Sequence, residues 1–312
     1  MYKSIFVPVD NSDHSNACEV LSIELAAATG AKVTGNHVYA AKLHDIRFKQ
    51  MEFTLPEEYK EETELEKQRR IHDALITRGL QLISDSYLDR MDTMAQDKGV
   101  TFERHMSDGR NFEALVEDIN ENDYDLVIMG AVGQGAVRQS TVGSVVERTL
   151  RRTNTDTMIV RDIDNATLEQ KGAIVVALDG STWSWGAMQT ACELAKTNKR
   201  PLEIVAVHNP DQSGEELIEA HLSLARQVAR NHELKVSTTL LDGSAATALV
   251  EHLENSRPWL VLAGRHGLDT AEQESNIGSV TEHLLRFGPS NLLIISREWT
   301  PSEATRQQIA TS

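Results

Sequence analysis

Short, uninterrupted apolar runs alternate along this chain with longer stretches whose apolar residues recur at helical spacing. The first run, Ser4–Val9, ends at Asp10, and a matching run, Ala173–Leu178, ends at Asp179. Apolar runs without polar alternation are typical of strands that are buried on both faces of a parallel sheet. Because strands alternate here with helical periodicity, the pattern predicts an α/β fold.

The two halves of the chain repeat the same order of landmarks. Asp108-Gly109 and Asp242-Gly243 stand the same number of residues before Gly130 and Gly264, and Ala-Leu-Val-Glu follows each pair. We therefore predict two tandem, open, parallel-sheet domains of Rossmann-like, adenine-nucleotide-binding type.

The predicted domains span residues 1–162 and 171–298, and residues 299–312 are expected to form a flexible tail. Each domain closes with an apolar strand, Thr157–Val160 in the first and Leu292–Ile295 in the second. Exposed apolar strand edges favour aggregation unless they are covered. We expect these two strands to pack the halves together as a pseudo-dimer.

The first domain is longer than the second because it contains a helical insertion at about residues 41–80. The charged segment Glu57–Asp97 is rich in good helix formers and predicts one long or broken helix. The segment Phe48–Leu55 is more apolar, and we leave it open as a lid or a partner-binding segment.

The chain is acidic, with 31 Lys and Arg against 47 Asp and Glu and a formal net charge of −16. This balance argues against nucleic acid or an anionic membrane as a partner, because both attract concentrated positive charge. Cys18 and Cys192 lie in predicted helices and indicate buried apolar positions. No apolar run approaches the ~18 residues of a membrane span, and no secretory pattern precedes the first strand. We expect a cytoplasmic protein.

A glycine motif follows the fourth strand of each half. Gly130 and Gly133 are followed by nine residues and Gly143-Ser144 in the first half. The second half contains Gly264 and Gly267, then ten residues and Gly278-Ser279. Glycines let a backbone approach an anion closely, and N–H groups at a helix start point at it. Ser144 and Ser279 also fit a simpler interpretation, since each begins a Ser-x-x-Glu capping box.

The sequence lacks the motifs of several enzyme classes. Ala136 stands where a phosphate-binding Walker loop needs lysine, and the first strand is not followed by a glycine-rich dinucleotide fingerprint. We find no Gly-x-Ser-x-Gly nucleophile elbow and no metal-binding spacing among the histidines. We therefore expect no enzyme, with slow ATP hydrolysis at most.

An Asp-ended first strand, a second strand ending at His37-Val38 and the Gly-x2-Gly-x9-Gly-Ser spacing together resemble the universal stress protein family in its tandem form. The resemblance covers residues 2–296 apart from the helical insertion, and it implies ATP binding. It places Asp10 at the ribose or adenine and backbone groups of Val38 at the adenine. The residues that it places around ribose and phosphates are Gly130, Gly133, Gly143 and Ser144. Asp10 also fits a helix N-cap or a turn former.

The resemblance implies a second, doubtful site in the other half, and charge distinguishes the two. Its residues are Asp179, Gly264, Gly267, Gly278 and Ser279. The first loop contains Arg138 and no acid, whereas the second contains three acids, Asp269, Glu272 and Glu274. Asn209 stands where we expect the adenine-contacting valine. We expect ATP, with or without magnesium, in the first site and a weak or empty second site, unless a metal or Arg265 compensates.

The leading hypothesis is a cytoplasmic tandem universal stress protein that binds ATP as a regulatory ligand in a stress response. Its protein partner is unknown, and a homodimer is left open. The rival hypothesis is a nucleotide-independent adaptor that works through its acidic surface and Phe48–Leu55. A third, a hydrolase of the wider adenine-nucleotide group, lacks the Ser-Gly-Gly-x-Asp-Ser loop of those enzymes.

Overall fold

In the computed structural model, which describes residues 1–134, 141–210, 214–268 and 277–300, ten strands form one continuous sheet. The strands are short, and those inside the sheet are mostly buried, as their apolar runs predict, whereas the two edge strands, Phe102–Asp108 and Val236–Asp242, are more polar and more exposed. The strands are β1 (Ser4–Pro8), β2 (Lys32–Tyr39), β3 (Phe102–Asp108), β4 (Leu126–Gly130), β5 (Asp156–Val160), β6 (Ile174–Ala177), β7 (Leu202–His208), β8 (Val236–Asp242), β9 (Leu260–Gly264) and β10 (Leu292–Ile295).

The strand order is β3-β2-β1-β4-β5-β10-β9-β6-β7-β8, so the first five strands and the last five form mirror-ordered halves. Strands pair in parallel within each half. At the centre β5 and β10 pair antiparallel, with Met158 opposite Leu293. The predicted parallel strand arrangement of each half is confirmed, and the closing strands join the two halves into one sheet as a pseudo-dimer.

Helices cover both faces of the sheet. α1, α3, α6 and α7 contribute to the core on one face, and α4, α5, α8 and α9 contribute to the core on the other. The helices are α1 (Asp13–Thr29), α2 (Ala41–Met51), α3 (Glu62–Lys98), α4 (Asn111–Glu121), α5 (Ser144–Leu150), α6 (Thr182–Thr197), α7 (Glu215–Asn231), α8 (Ala245–Ser256) and α9 (Ser279–Phe287). Both cores contain residues from both halves, so they are continuous across the pseudo-dimer.

Two side chains at equivalent positions of β5 and of the turn before β10 bind the opposite half. The buried Asp156 carboxylate accepts a hydrogen bond of 2.8 Å from the backbone N–H of Ser296 in the other half, and one of 2.9 Å from the Tyr2 hydroxyl of its own half. The buried Asn291 side chain accepts a hydrogen bond of 2.9 Å from the backbone N–H of Arg161. These reciprocal contacts satisfy backbone groups just beyond the paired central strands.

A reciprocal ion network also crosses the pseudo-dimer between α5 and α9. Arg151 lies 2.9 Å from Glu282, and Arg286 lies 2.7 Å from Glu147. Each arginine also contacts the glutamate one turn before it on its own side, at 3.4 and 3.2 Å. The network is half-exposed, so it orients the two helices more than it stabilises them.

The insertion of the N-terminal half contains α2 and most of α3. The expected helix from Glu57 instead begins at Glu62, because two short 3₁₀ turns, Glu52–Thr54 and Glu57–Tyr59, precede it. The segment Phe48–Leu55 is the end of α2 and the first of these turns. Of the predicted tail, residues 299 and 300 belong to the described chain, and residues 301–312 lie outside it.

Both cysteines are buried and free, as the sequence predicts. Among the described ranges, no helix combines the length and the apolar character that a membrane span requires.

Candidate functional site

The predicted site lies where the chain order of the first sheet half reverses. β1 is flanked by β2 on one side and by β4 on the other, and Asp10 follows β1 while Gly130 ends β4. In open α/β sheets, ligands bind in the crevice beyond the carboxyl ends of the strands at this switch point. The site residues that the sequence predicts are therefore brought to the expected edge.

Asp10 joins the turn after β1 to the glycine turn after β4. One carboxylate oxygen accepts a hydrogen bond from the backbone N–H of Ser12, at 3.0 Å. The other accepts from the backbone N–H of Gln134, at 3.0 Å. The N-cap of α1 is Ser12, whose hydroxyl accepts from Ser15 N at 3.2 Å. The N-cap interpretation of Asp10 is therefore wrong, and its turn-forming role is observed.

Two glycines of the motif lie in close contact with the first-strand turn of the protein itself. A Cβ built on Gly130 would lie 2.6 Å from His14 Cβ, at the start of α1. A Cβ built on Gly133 would clash with the Asp10 carboxylate. Both glycines thus allow the fourth-strand turn to close against the first-strand turn, whether or not a ligand is bound.

Gly143 and Ser144 begin α5 differently from the capping-box expectation. Gly143 is the N-cap, and its backbone N–H donates a 2.7 Å hydrogen bond to the carbonyl of Ala131. Ser144 is the first helical residue, it is exposed, and no side chain caps the helix. The capping-box interpretation is therefore wrong, because Glu147 turns to Arg286 of the other half instead.

Val38 lies near the end of β2, beyond the last residue that β2 pairs with β1. The final pair in that register is Pro8 with Asn36, and the Asn36 carbonyl accepts a hydrogen bond from Val9 N. Since successive strand residues alternate their backbone directions, the backbone groups of Val38 face the same side as those of Asn36. They therefore face the crevice beside Asp10.

The second half repeats this geometry closely. The Asp179 carboxylate accepts from Ser181 N at 2.9 Å and from Leu268 N at 3.1 Å. A Cβ on Gly267 would lie 2.7 Å from the Asp179 carboxylate. Gly278 is the N-cap of α9, and its N–H donates to the Arg265 carbonyl. The second capping box is therefore also wrong, since Ser279 is the first helical residue and is exposed.

The strand register corrects our comparison of the two adenine positions. Tyr39 pairs with Asp108, and His208 pairs with Asp242, so Tyr39 and His208 are equivalent. The counterpart of Val38 is therefore Val207 and not Asn209. Both valines are half-buried and pack against the same core. The absence of a valine does not distinguish the second site from the first.

Arg265, inside the second glycine motif, contacts the opposite half of the chain. Its guanidinium donates to the carbonyl of Leu150, in the other half, and to the Ser296 hydroxyl at 3.1 Å. The side chain is buried at the pseudo-dimer, where burial lowers its pKa. The compensating role that we allowed for Arg265 stays a prediction, because residues 269–276 of the second loop lie outside the described chain.

The charged loop residues that distinguish the two sites lie outside the described residues. These are Arg138 in the first loop and Asp269, Glu272 and Glu274 in the second. The charge difference consequently stays a prediction. Among the residues that the structure does describe, no group of three His, Cys, Asp or Glu side chains could hold a metal ion.

His14 and Trp183 are site residues that the sequence did not lead us to expect. They stand at equal distances after Asp10 and Asp179, and each packs its Cβ against the first glycine of its half. The Trp183 ring meets the His266 ring edge-on, with centroids 5.1 Å apart. Burial lowers the pKa of His266, which favours its neutral form. Only their spacing from the aspartates could have identified this pair.

Comparisons with known proteins all lead to one family. A family model described as the universal stress protein family matches residues 1–161 and 172–296. A universal stress protein from Mycobacterium bovis is 25% identical over 206 residues, covering 61% of this chain and 67% of that protein. One from Methanocaldococcus jannaschii is 26% identical over 162 residues, covering 52% of this chain and 83% of that protein.

Solved structures show the same architecture over nearly the whole chain. A universal stress protein from Archaeoglobus fulgidus has a TM-score of 0.68 at 16% identity, covering 94% of this chain and 97% of that one. A protein described with the same family name from Pseudomonas aeruginosa has a TM-score of 0.62 at 14% identity, covering 94% and 93%. At these identities the likeness concerns the fold alone.

Proposed function

The chain belongs to the universal stress protein family in its tandem form, and on that premise we propose that its N-terminal half binds ATP as a regulatory ligand in a stress response. The observation that carries the proposal is the contact between Asp10 and the backbone N–H of Gln134. It joins residues 124 positions apart into one edge at the topological switch point, where open α/β sheets bind ligands.

The residues at this edge have the chemistry that an adenine nucleotide requires. Each Asp10 oxygen accepts one backbone hydrogen bond, which leaves acceptor capacity for ribose hydroxyls. Backbone groups of Val38 would bind the adenine edge. Gly130, Gly133, Gly143 and Ser144 would line the ribose and phosphates with backbone. ATP supplies the anionic phosphates that such a backbone lining recognises.

We further propose that ATP occupies the first site in preference to the second. The backbone geometry of the two sites is nearly the same, so the preference must come from the loops. A single carboxylate about 10 Å from a phosphate costs up to roughly 1 kcal/mol. Three carboxylates against one arginine therefore favour the first site by a large factor.

Calorimetric titration with ATP and ADP tests this function through a matched pair of variants. We expect wild-type protein to bind with a micromolar dissociation constant. Gly133→Val should weaken binding by about 10- to 100-fold, because relief of its clash with Asp10 costs about 1–3 kcal/mol. Gly267→Val makes the equivalent change in the second half and should leave the measured affinity unchanged.

The outcome that contradicts the proposal is equally concrete. If wild-type protein shows no saturable binding below millimolar ATP, it is not an ATP-binding protein. If Gly267→Val weakens binding as much as Gly133→Val, the first site is not preferred. Far-UV circular dichroism of both variants would show whether a loss of binding reflects a loss of structure.

Mass analysis of nucleotide released from protein purified without added ligand gives the stoichiometry. About one ATP per chain is expected, and two would contradict the preference for the first half. We propose that any hydrolysis is slow, so the released nucleotide should be mainly ATP and not ADP.

The exposed end of α2 and the turn that follows it favour a second candidate function, a nucleotide-independent adaptor. Phe53 is 77% exposed and Met51 is 59% exposed, which is unusual for two neighbouring apolar side chains. The titration above separates the candidates, because an adaptor of this kind would bind no nucleotide.

A further inference from the structure

The insertion forms a helical arm, residues 41–83, that overhangs the sheet. In α3, the buried side chains begin only at Ser84 and continue with Leu88, Met91 and Ala95. Because α3 returns from the end of β2 to the start of β3, its first part extends beyond the carboxyl edge of the sheet. At 1.5 Å per residue, the overhanging part of α3 is about 33 Å long.

The inner side of the arm joins α2 to α3. Phe48 stacks on His72 with ring centroids 4.1 Å apart. The Arg69 guanidinium donates two hydrogen bonds to the Glu52 carboxylate, at 2.6 and 2.7 Å. The arm is therefore a two-helix hairpin. None of its described side chains from His44 to Ile83 is buried.

A different side of α3 presents an apolar stripe, defined here as Ile71, Leu75 and Leu82. Their spacing of four and seven residues places them on one helix face. They are 45%, 69% and 56% exposed, so no described part of this chain covers them. Beside the stripe lies Gly79, where an added Cβ would meet no atom within 4 Å. A second helix can therefore approach closely along this face.

We propose that a second copy of this chain covers the stripe, with the two α3 helices packed antiparallel. Charge is the first argument for this occupant. The arm contains nine acidic and eight basic side chains, whereas the whole chain contains 47 and 31. Two copies of so acidic a chain repel each other over most of their surfaces. The nearly neutral arm is where they approach with least repulsion.

The order of charges along the stripe is the second argument. Lys67 precedes it by one turn and is 62% exposed, and Asp85 follows it. In an antiparallel pair that sets Ile71 against Leu82, Lys67 of each copy lies beside Asp85 of the other. A parallel pair would instead set like charges together. The two ends of the stripe are thus self-complementary in charge, and the exposed Arg78 of each copy lies beside Leu75 of the other.

The closing strands β5 and β10 are not available for association between two copies. In each chain β5 and β10 already pair with each other, so the apolar closing strands are covered internally. An arm-to-arm contact would join two pseudo-dimers through a four-helix bundle of α2 and α3 from each copy. This dimer does not require bound ATP.

Sedimentation equilibrium of the full chain without nucleotide tests the proposal. We expect a species of twice 34.6 kDa at micromolar concentration. The double variant Leu75→Glu, Leu82→Glu should raise the dimer dissociation constant by at least about 100-fold, because two buried charges would oppose association. Leu217→Glu, Leu224→Glu is the matched control on α7, where both leucines are also exposed. It should sediment as wild type does.

Charge reversal gives a test that does not alter the apolar surface. Lys67→Asp should weaken the dimer about five-fold, and adding Asp85→Lys should restore it. A wild-type protein that stays monomeric at about 100 µM would overturn the proposal, since a specific dimer of this size associates well below that concentration. So would a dimer that survives the Leu75, Leu82 change or that the control variant dissociates. None of these three results would bear on nucleotide binding.

Discussion

The first helix of each half has one buried equivalent position at which the two halves differ in charge. Glu19 stands nine residues after Asp10, and Met188 stands nine residues after Asp179. Both side chains are buried, at 2% and 1% exposure. Met188 belongs to the apolar core, whereas Glu19 lies 3.6 Å from Arg90 of α3. The two halves thus keep one backbone and use it differently.

The difference follows the insertion. In the C-terminal half the connecting helix α7 is short and packs as a simple cover, with Leu222, Ala225 and Ala229 buried. In the N-terminal half α3 is 37 residues long, and its Arg90 contacts the buried carboxyl of α1. The buried carboxyl of Glu19 thus occurs in the half that contains the arm and the proposed ATP site, whereas Met188 keeps the equivalent position of the other half apolar.

The contacts of Asp156 and Asn291 across the pseudo-dimer test this comparison with the largest expected effect. Asp156→Ala leaves Ser296 N, the Tyr2 hydroxyl and the Arg297 guanidinium without their carboxylate, so we expect a loss of about 3–5 kcal/mol in unfolding free energy. Asn291→Ala removes the equivalent neutral side chain and should cost about 1–3 kcal/mol. Urea unfolding measures both. Equal losses would show that the charge of Asp156 contributes nothing beyond its hydrogen bonds.

Glu19 should make the free energy of unfolding depend on pH. Met188, at the equivalent position of the other half, has no group that titrates. Burial raises the pKa of Glu19 from 4.5 to about 7, although Arg90 opposes the shift. Because the folded-state pKa is raised, the stabilising contribution is complete below pH 4.5 and is lost as the pH rises through 7. At pH 8 Glu19→Gln should therefore gain up to about 3 kcal/mol relative to wild type, compared with pH 4.

Urea unfolding of wild type, Glu19→Gln and Glu19→Met between pH 4 and pH 8 measures this effect. Glu19→Met makes the position match its counterpart, and it should remove the same pH dependence. Wild-type and Glu19→Gln curves that run parallel across this range would mean that the carboxyl titrates normally.

The ion network between α5 and α9 is where the halves should be most alike. Glu147→Gln and Glu282→Gln should each cost about 0.5 kcal/mol, because both carboxylates are about one-third exposed and screened by solvent. The double variant should cost more than the sum, since it leaves Arg151 and Arg286 facing each other. A double-mutant cycle at low salt measures this. Clearly unequal single losses would break the pseudo-symmetry.

The repeated strands and glycine turns could be predicted from the sequence because they depend on short stretches of chain. Burial on both faces leaves continuous apolar runs, and Gly130 and Gly133 mark a turn that a Cβ would obstruct. The pairing of β5 with β10 followed from the same reasoning, since apolar closing strands need a partner. The start of α3 is predicted less accurately, because Glu52–Thr54 and Glu57–Tyr59 form 3₁₀ turns that helix propensity does not detect.

The errors concern residues whose role depends on distant partners. Glu147 fits a capping box in sequence, yet it binds Arg286, 139 residues away. Asn209 aligned with Val38 only until strand pairing set Val207 in that place. Local pattern cannot rank such partners, because the competing contacts are created by folding.

By itself, the sequence determined the duplicated α/β architecture, the edge of each sheet at which a ligand would bind, and the acidic surface. These follow from apolar periodicity, glycine spacing and charge, which are properties of neighbouring residues. Only the tertiary structure decided that Asp10 closes on Gln134, that Arg265 serves the pseudo-dimer, and that the stripe on α3 is uncovered. Each of these depends on which groups, far apart in the chain, exclude water from one another when the sheet assembles.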